Sequence, residues 1–138
     1  MFNTKKMKDL KMGFLNEKEC LPIIKKFFND YNLEIYKDVY EVIDFKSDDK
    51  FIEFKSRRIP HDKFKTALIG SNKIDVFKKS NKDCYIIYKY VDGLYYIKYD
   101  ENLFNTFNTT IHYTQRDGKV EKSKVFNIPI EHLNILNI

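Results

Sequence analysis

The run Phe51-Ile52-Glu53-Phe54-Lys55 constrains the chain most. Its alternation predicts a β-strand with Ile52 and Phe54 on one face and Glu53 and Lys55 on the other. A carboxylate and an ammonium in so apolar a strand demand compensation, because buried charge is costly unless paired or bound to metal. Just upstream, Tyr40–Asp44 predicts a second short strand that ends at Asp44. The polar sequence Ser47-Asp48-Asp49-Lys50 predicts the turn between the two.

Acid-x-lysine spacing is a weak signal here, since it recurs at Asp44–Lys46, Asp48–Lys50 and Asp117–Lys119. Asp48 and Asp117 stand in turn-like surroundings, where aspartate favours the turn itself. Glu53–Lys55 stands within an apolar strand that has an acidic strand before it. Asp44–Lys46 is the rival pair, with Asp38 or Glu41 as its upstream acid. The bland alternative is an ion pair on a solvated sheet face, with Asp44 merely ending a strand.

The rest of the chain reads as a single domain over residues 1–138, without repeats, low-complexity tracts or linkers. After a lysine-rich start, Met1–Lys11, the segment Gly13–Asp30 predicts a helix. Cys20, Leu21, Ile24, Phe27, Phe28 and Tyr31 share its apolar face. Glu17 falls near the middle of that face and Glu19 opposite, while Pro22 should kink the helix or displace its start. Ile59–Gly70 reads as a connector, with Ser71 capping a short helix from Asn72 to about Lys79 that turns Ile74 and Phe77 inward. Cys84–Tyr90 and Leu94–Tyr99 predict a hairpin about Asp92-Gly93, and Thr109–Gln115 and Val120–Ile128 a second hairpin. Pro129–Leu136 predicts a helical end. This order is that of an α/β (α+β) domain with a mixed β-sheet flanked by helices and an additional C-terminal β-hairpin.

Composition narrows the function classes. Hydrophobic residues make up 43% and aromatics 16% of the chain, which argues for a folded protein. Neither a membrane-spanning run nor a signal-peptide pattern is apparent, so the chain reads as soluble and intracellular, with no membrane partner. Cys20 and Cys84 read as buried thiols, and His61, His112 and His132 are too scattered for a zinc site and suit surface or capping roles. A net charge of +5 permits a polyanionic partner. Only Arg57, Arg58 and Arg116 of the 25 basic residues are arginine. Two adjacent arginines directly after the Glu53–Lys55 strand therefore suggest phosphate contacts, where arginine binds bidentately. The tyrosines of Tyr85–Tyr99 could stack on bases or simply pack a core.

With Asp44, Glu53 and Lys55 in this context, the sequence resembles the PD-(D/E)XK (restriction-endonuclease-like) nuclease superfamily over roughly Gly13–Tyr99. Asp44 matches the first acidic position, Glu53 the second and Lys55 the lysine. Glu17 matches the acidic residue of the preceding helix, and Asn72 or Lys73 the polar or basic residue of the following one. Ile43 stands where many members carry proline. The phrases IEFKSRR, IGSNKI and DGLYYIKYD are also similar to small members encoded by large DNA viruses.

The resemblance implies a DNA endonuclease that uses Mg²⁺ (or Mn²⁺). Asp44, Glu53 and the Phe54 carbonyl would hold the ion. Lys55 would orient the attacking water or stabilise developing charge, with Glu17 in support. Asn72 and Lys73, in the first turn of a helix, together with Arg57 and Arg58, would contact DNA phosphates. Likeness to Holliday-junction resolvases within the superfamily implies branched DNA as substrate and a homodimer, although no dimer surface is legible in the chain. The alternative is a nucleic-acid-binding protein that keeps the fold without cutting.

Overall fold

The structure, a computed structural model, describes residues 5–35 and 43–136. Its architecture is mixed α+β. Helix α1 (Lys5–Phe28) leads into strands β1 (Glu34–Ile35), β2 (Phe45–Lys46), β3 (Lys50–Ser56) and β4 (Thr66–Gly70). Helix α2 (Ser71–Lys79) follows, then β5 (Asp83–Tyr90), β6 (Gly93–Lys98) and the short helix α3 (Glu101–Phe104). The hairpin β7 (Thr109–Arg116) and β8 (Lys119–Pro129), a 3₁₀ turn (Ile130–His132) and β9 (Asn134–Ile135) complete the order.

Two sheets form. The larger runs β1-β2-β3-β5-β6-β9, and the smaller runs β4-β8-β7. Neighbours in the large sheet are antiparallel except β3 and β5, which lie parallel with Glu53 opposite Ile86. A parallel pair needs a crossover, and the segment through β4 and α2 supplies it. Strands β3 and β5 lie in the interior of the sheet, and consecutive residues at their centres are buried, so both faces are covered there.

Alternation along β5 divides the core between the two faces. Cys84, Ile86, Tyr88 and Tyr90 face one cluster, with Ile74 and Phe77 of α2, Phe104 of α3 and Ala67, Ile69 and Ile128 of the small sheet. Ile87 faces the other, with Ile52 and Phe54 of β3, Phe45 of β2 and Cys20 and Ile24 of α1. The molecule is thus layered, with α1 on one face of the large sheet and α2 with the small sheet on the other. The β2–β3 turn is tied to the end of α1, because Ser47 Oγ donates to Asp30 Oδ2 at 2.7 Å and Lys50 Nζ to the same oxygen at 3.3 Å.

Several sequence expectations need correction. Helix α1 starts well before Gly13 and runs through Pro22, whose exposed side removes one backbone bond without ending the helix. Tyr31 lies beyond the helix and is exposed. Asp44 does not end a strand: it sits in a bend directly before β2. Most of the expected upstream strand, with Asp38 and Glu41, lies outside the described residues. Ser71 begins α2 instead of capping it, and the Gly70 cap makes no side-chain hydrogen bond. The connector Ile59–Gly70 hides β4, whose pairing with β8 was invisible locally. The expected helical end is only a single 3₁₀ turn followed by β9.

Both cysteines are buried and free. Among the described residues no helix is long and apolar enough to cross a membrane. Ile87, fully buried between α1 and the sheet, gives a stability test. Ile87→Ala should cost about 2–5 kcal/mol in urea unfolding. The exposed Ile111→Ala should stay within roughly 0.5 kcal/mol of the parent, and equal midpoints for the two variants would contradict this layering.

Candidate active site

Glu53 lies in the middle of β3 with a relative exposure of only 2%. Its neighbours compensate the buried charge. Lys55 Nζ, two residues on and on the same face, lies 3.3 Å from Glu53 Oε1. Lys73 Nζ reaches Glu53 Oε2 from the first turn of α2, also at 3.3 Å. The second contact is an ion pair that lacks hydrogen-bond geometry, so Oε2 is buried without a hydrogen-bond partner.

Asp44 is brought alongside by a main-chain contact. The Phe54 N–H donates to Asp44 Oδ2 at 2.8 Å. The β2–β3 ladder pairs Phe45 with Ile52, and the Asp44 carboxylate takes the next free N–H along β3. That bond fixes the acid beside the strand that carries Glu53.

Glu17 completes the cluster from α1. It is partly buried, whereas Glu19 is exposed as the helical spacing predicted. Burial pushes the Glu17 carboxyl up to about 9, helped by the charge of Asp44, a side-chain hydrogen bond to Asp44 and the charge of Glu53. A hydrogen bond between two carboxyl groups requires a proton, and the raised Glu17 carboxyl can supply it. Burial also raises Glu53, to about 7, with Lys55 and Lys73 opposing the rise and Asp44 adding to it.

A polar network that the sequence did not disclose anchors α1 next to Glu17. Lys89 Nζ of β5 donates to Asn16 Oδ1 at 2.6 Å, and Asn16 Nδ2 donates to Ser56 Oγ at 2.9 Å. Only adjacency to Glu17 and to the end of β3 could have flagged these residues. The remaining candidates separate. Arg57 and Arg58 are exposed just past β3, with the Arg57 N–H bonded to the Lys89 carbonyl at 2.8 Å. Asn72 is exposed at the start of α2, while Lys73 turns inward to Glu53. Lys73 therefore belongs with the carboxylates and is not an outward phosphate contact. Tyr88, Tyr90 and Tyr95 are buried, and Tyr88 Oη donates to the Leu68 carbonyl at 2.9 Å. That favours the packing role for these rings over base stacking.

His61 is also more than a surface residue. Its ring bonds Asp92 and stacks on Tyr95, with ring centres 4.5 Å apart. Among the described residues, His61, Asp62 and Asp92 form the one group of three with ligand atoms all within 4.8 Å of one another. The Glu17, Asp44 and Glu53 carboxylates interact but do not meet that spacing. The His61 group lies at the β5–β6 turn, where the His61 N–H also donates to Asp92 Oδ1 at 2.9 Å. These bonds staple the loop after Pro60 to the hairpin.

Compared with protein-family models, curated proteins and solved structures, the chain matches none of them. The functional reading therefore rests on the chain's own geometry.

The raised carboxyls make a pH prediction. A carboxyl raised in the folded state favours folding most below its ordinary value of 4.5, and that contribution is lost as pH rises through about 9 for Glu17. In chelator, Glu17→Gln should gain stability relative to the parent progressively between about pH 4.5 and 9. Thermal melting across that range checks it, and parallel curves for the two proteins would refute the assignment of the proton.

Proposed function

We propose that the chain is a divalent-metal-dependent deoxyribonuclease of the PD-(D/E)XK type. One observation carries the reading. Acidic side chains from α1 and the bend before β2 interact with buried Glu53 of strand β3, which is itself paired to Lys55. The order of elements supports it as well: a helix bearing an acid, a bend and a strand each bearing one, then a helix bearing Lys73, an order the superfamily resemblance implies.

The donor set fits a hard divalent cation. Carboxylate oxygens suit Mg²⁺ or Mn²⁺, and Mg²⁺ sites commonly use one or two carboxylates with water completing the shell. Glu53 Oε2, buried and lacking a hydrogen bond, is an acceptor still to be satisfied. Asp44, Glu53 and the Phe54 carbonyl would hold the ion. When bound, it supplies Lewis-acid activation of water and offsets charge on the phosphodiester.

The chain's own residues then divide the work. Lys55, held by Glu53, orients the nucleophilic water or stabilises negative charge on the phosphate. Lys73 holds the opposite edge of the Glu53 carboxylate and fixes its plane. Glu17 supports Asp44 through the hydrogen bond between their side chains. Arg57 and Arg58, exposed past the end of β3, are placed to grip phosphates of the bound strand. Asn72, exposed in the first turn of α2, adds a polar contact where helix N–H groups favour an anion.

The test is cleavage of supercoiled, branched and single-stranded DNA with Mg²⁺, Mn²⁺ or chelator. The parent should cut only with a divalent ion. Lys55→Ala should slow cleavage about 10²–10³-fold while leaving DNA binding within about two-fold. A parent protein that cuts none of these substrates under any ion would overturn the reading. So would a Lys55→Ala variant that cuts at the parental rate.

A further inference from the structure

The β7–β8 hairpin outlasts the sheet it belongs to. Strand β4 pairs with β8 only from Pro129 back to Val125, which lies opposite Gly70. From Lys124 to Lys119, β8 has β7 as its sole partner among the described residues, in a register from Ile111–Lys124 to Arg116–Lys119. Six residues of strand make a two-stranded arm about 20 Å long. Such a ribbon buries little on its own and is marginal in water.

Its two faces differ. Residues directly opposite in an antiparallel pair share a face. One face therefore carries Ile111 with Lys124, Tyr113 with Lys122 and Gln115 with Val120. All six are exposed, and the large apolar ones conspicuously so: Ile111 by 46%, Tyr113 by 67% and Val120 by 69%. The acidic Glu121 falls on the opposite face, opposite Thr114. An aromatic and aliphatic stripe edged by two lysines, with Glu121 turned away and Asp117 confined to the turn at the tip, is complementary to a polyanion with apolar surface between its charges. A two-stranded ribbon also matches the width of the DNA major groove.

The arm's root ties it to the candidate site. Val125, where the arm leaves the sheet, pairs with Gly70. Gly70 caps α2, the helix whose first turn sends Lys73 to Glu53. The arm's root is thus joined through Gly70 to the helix that carries Lys73.

We propose that the β7–β8 arm is a DNA-binding element that engages the duplex flanking the candidate site through Lys122, Lys124 and Tyr113. The proposal rests on the nuclease reading only for identifying the polyanion as DNA. All three side chains are exposed, so their replacement leaves the core untouched.

Binding of a labelled duplex would be followed by anisotropy across a salt series in the Glu53→Gln background, which separates binding from cutting. Lys122→Ala combined with Lys124→Ala should weaken binding several-fold and lower the slope of log affinity against log salt by about 2. Tyr113→Ala should weaken binding without changing that slope. Unchanged affinity and slope in the double variant would overturn the proposal. So would a shift from dimer to monomer in sedimentation with DNA affinity retained, since the arm would then be an interface between copies. A parent that binds DNA through the arm yet never cuts removes the nuclease reading and leaves the arm standing. Cleavage that persists with arm variants binding normally removes the arm and leaves the nuclease.

Discussion

The buried carboxylate of Glu53 sets the terms for much of this molecule. On an interior strand with both faces covered, an ionised side chain is stable only if opposite charge approaches it from within the fold. Lys55 comes from the same strand and costs nothing topologically. Lys73 comes from α2, and its contact depends on the β3–β4–α2–β5 crossover that also makes β3 and β5 parallel. The handshake between Glu53 and Lys73 therefore reports that the crossover has closed, and disrupting either end should be felt in both layers.

The position of Asp44 follows from backbone chemistry. Strand β2 is two residues long, so the ladder along β3 would run out beyond Ile52 without another acceptor. The Asp44 carboxylate takes the Phe54 N–H. A side chain substituting for a missing strand partner is thereby locked in place more tightly than a loop aspartate in solvent. That lock brings a second acid next to Glu53, and Glu17 follows from α1 with a carboxyl raised by burial and by these neighbours. Three acids are brought into interaction by three different devices: a strand pleat, a ladder-end bond and a helix face.

These devices differ in how visible they are in sequence. The pleat is legible, because period-two alternation alone puts Glu53 and Lys55 on one face. The helix face is legible too, since Glu17 and Glu19 fall on opposite sides at 100° per residue, and Ile74 and Phe77 of α2 turned inward as their spacing implied. Both hairpins were marked by Asp-Gly turns, and Asp117 and Gly118 indeed take positive φ of 52° and 79°. What stayed hidden depends on distant partners. Strand β4 has no strong local signature, and only β8, more than fifty residues later, makes it a strand. The inward turn of Lys73 required knowing where β3 would lie, and the Asn16–Ser56–Lys89 link joins three elements with no shared motif. The His61–Asp92 staple was missed for the same reason, since its partners are thirty-one residues apart.

Stability alone explains a pair here but not this group. One buried carboxylate between two lysines would be neutralised without further acids, and a well-packed apolar substitute is often as stable or more so. Asp44 can be assigned a structural duty through Phe54. Glu17 adds a third carboxyl, raised by burial and by its acidic neighbours. Natural folds retain such locally unfavourable groups chiefly where chemistry uses them. A divalent cation would relieve the crowding of acids and satisfy Glu53 Oε2.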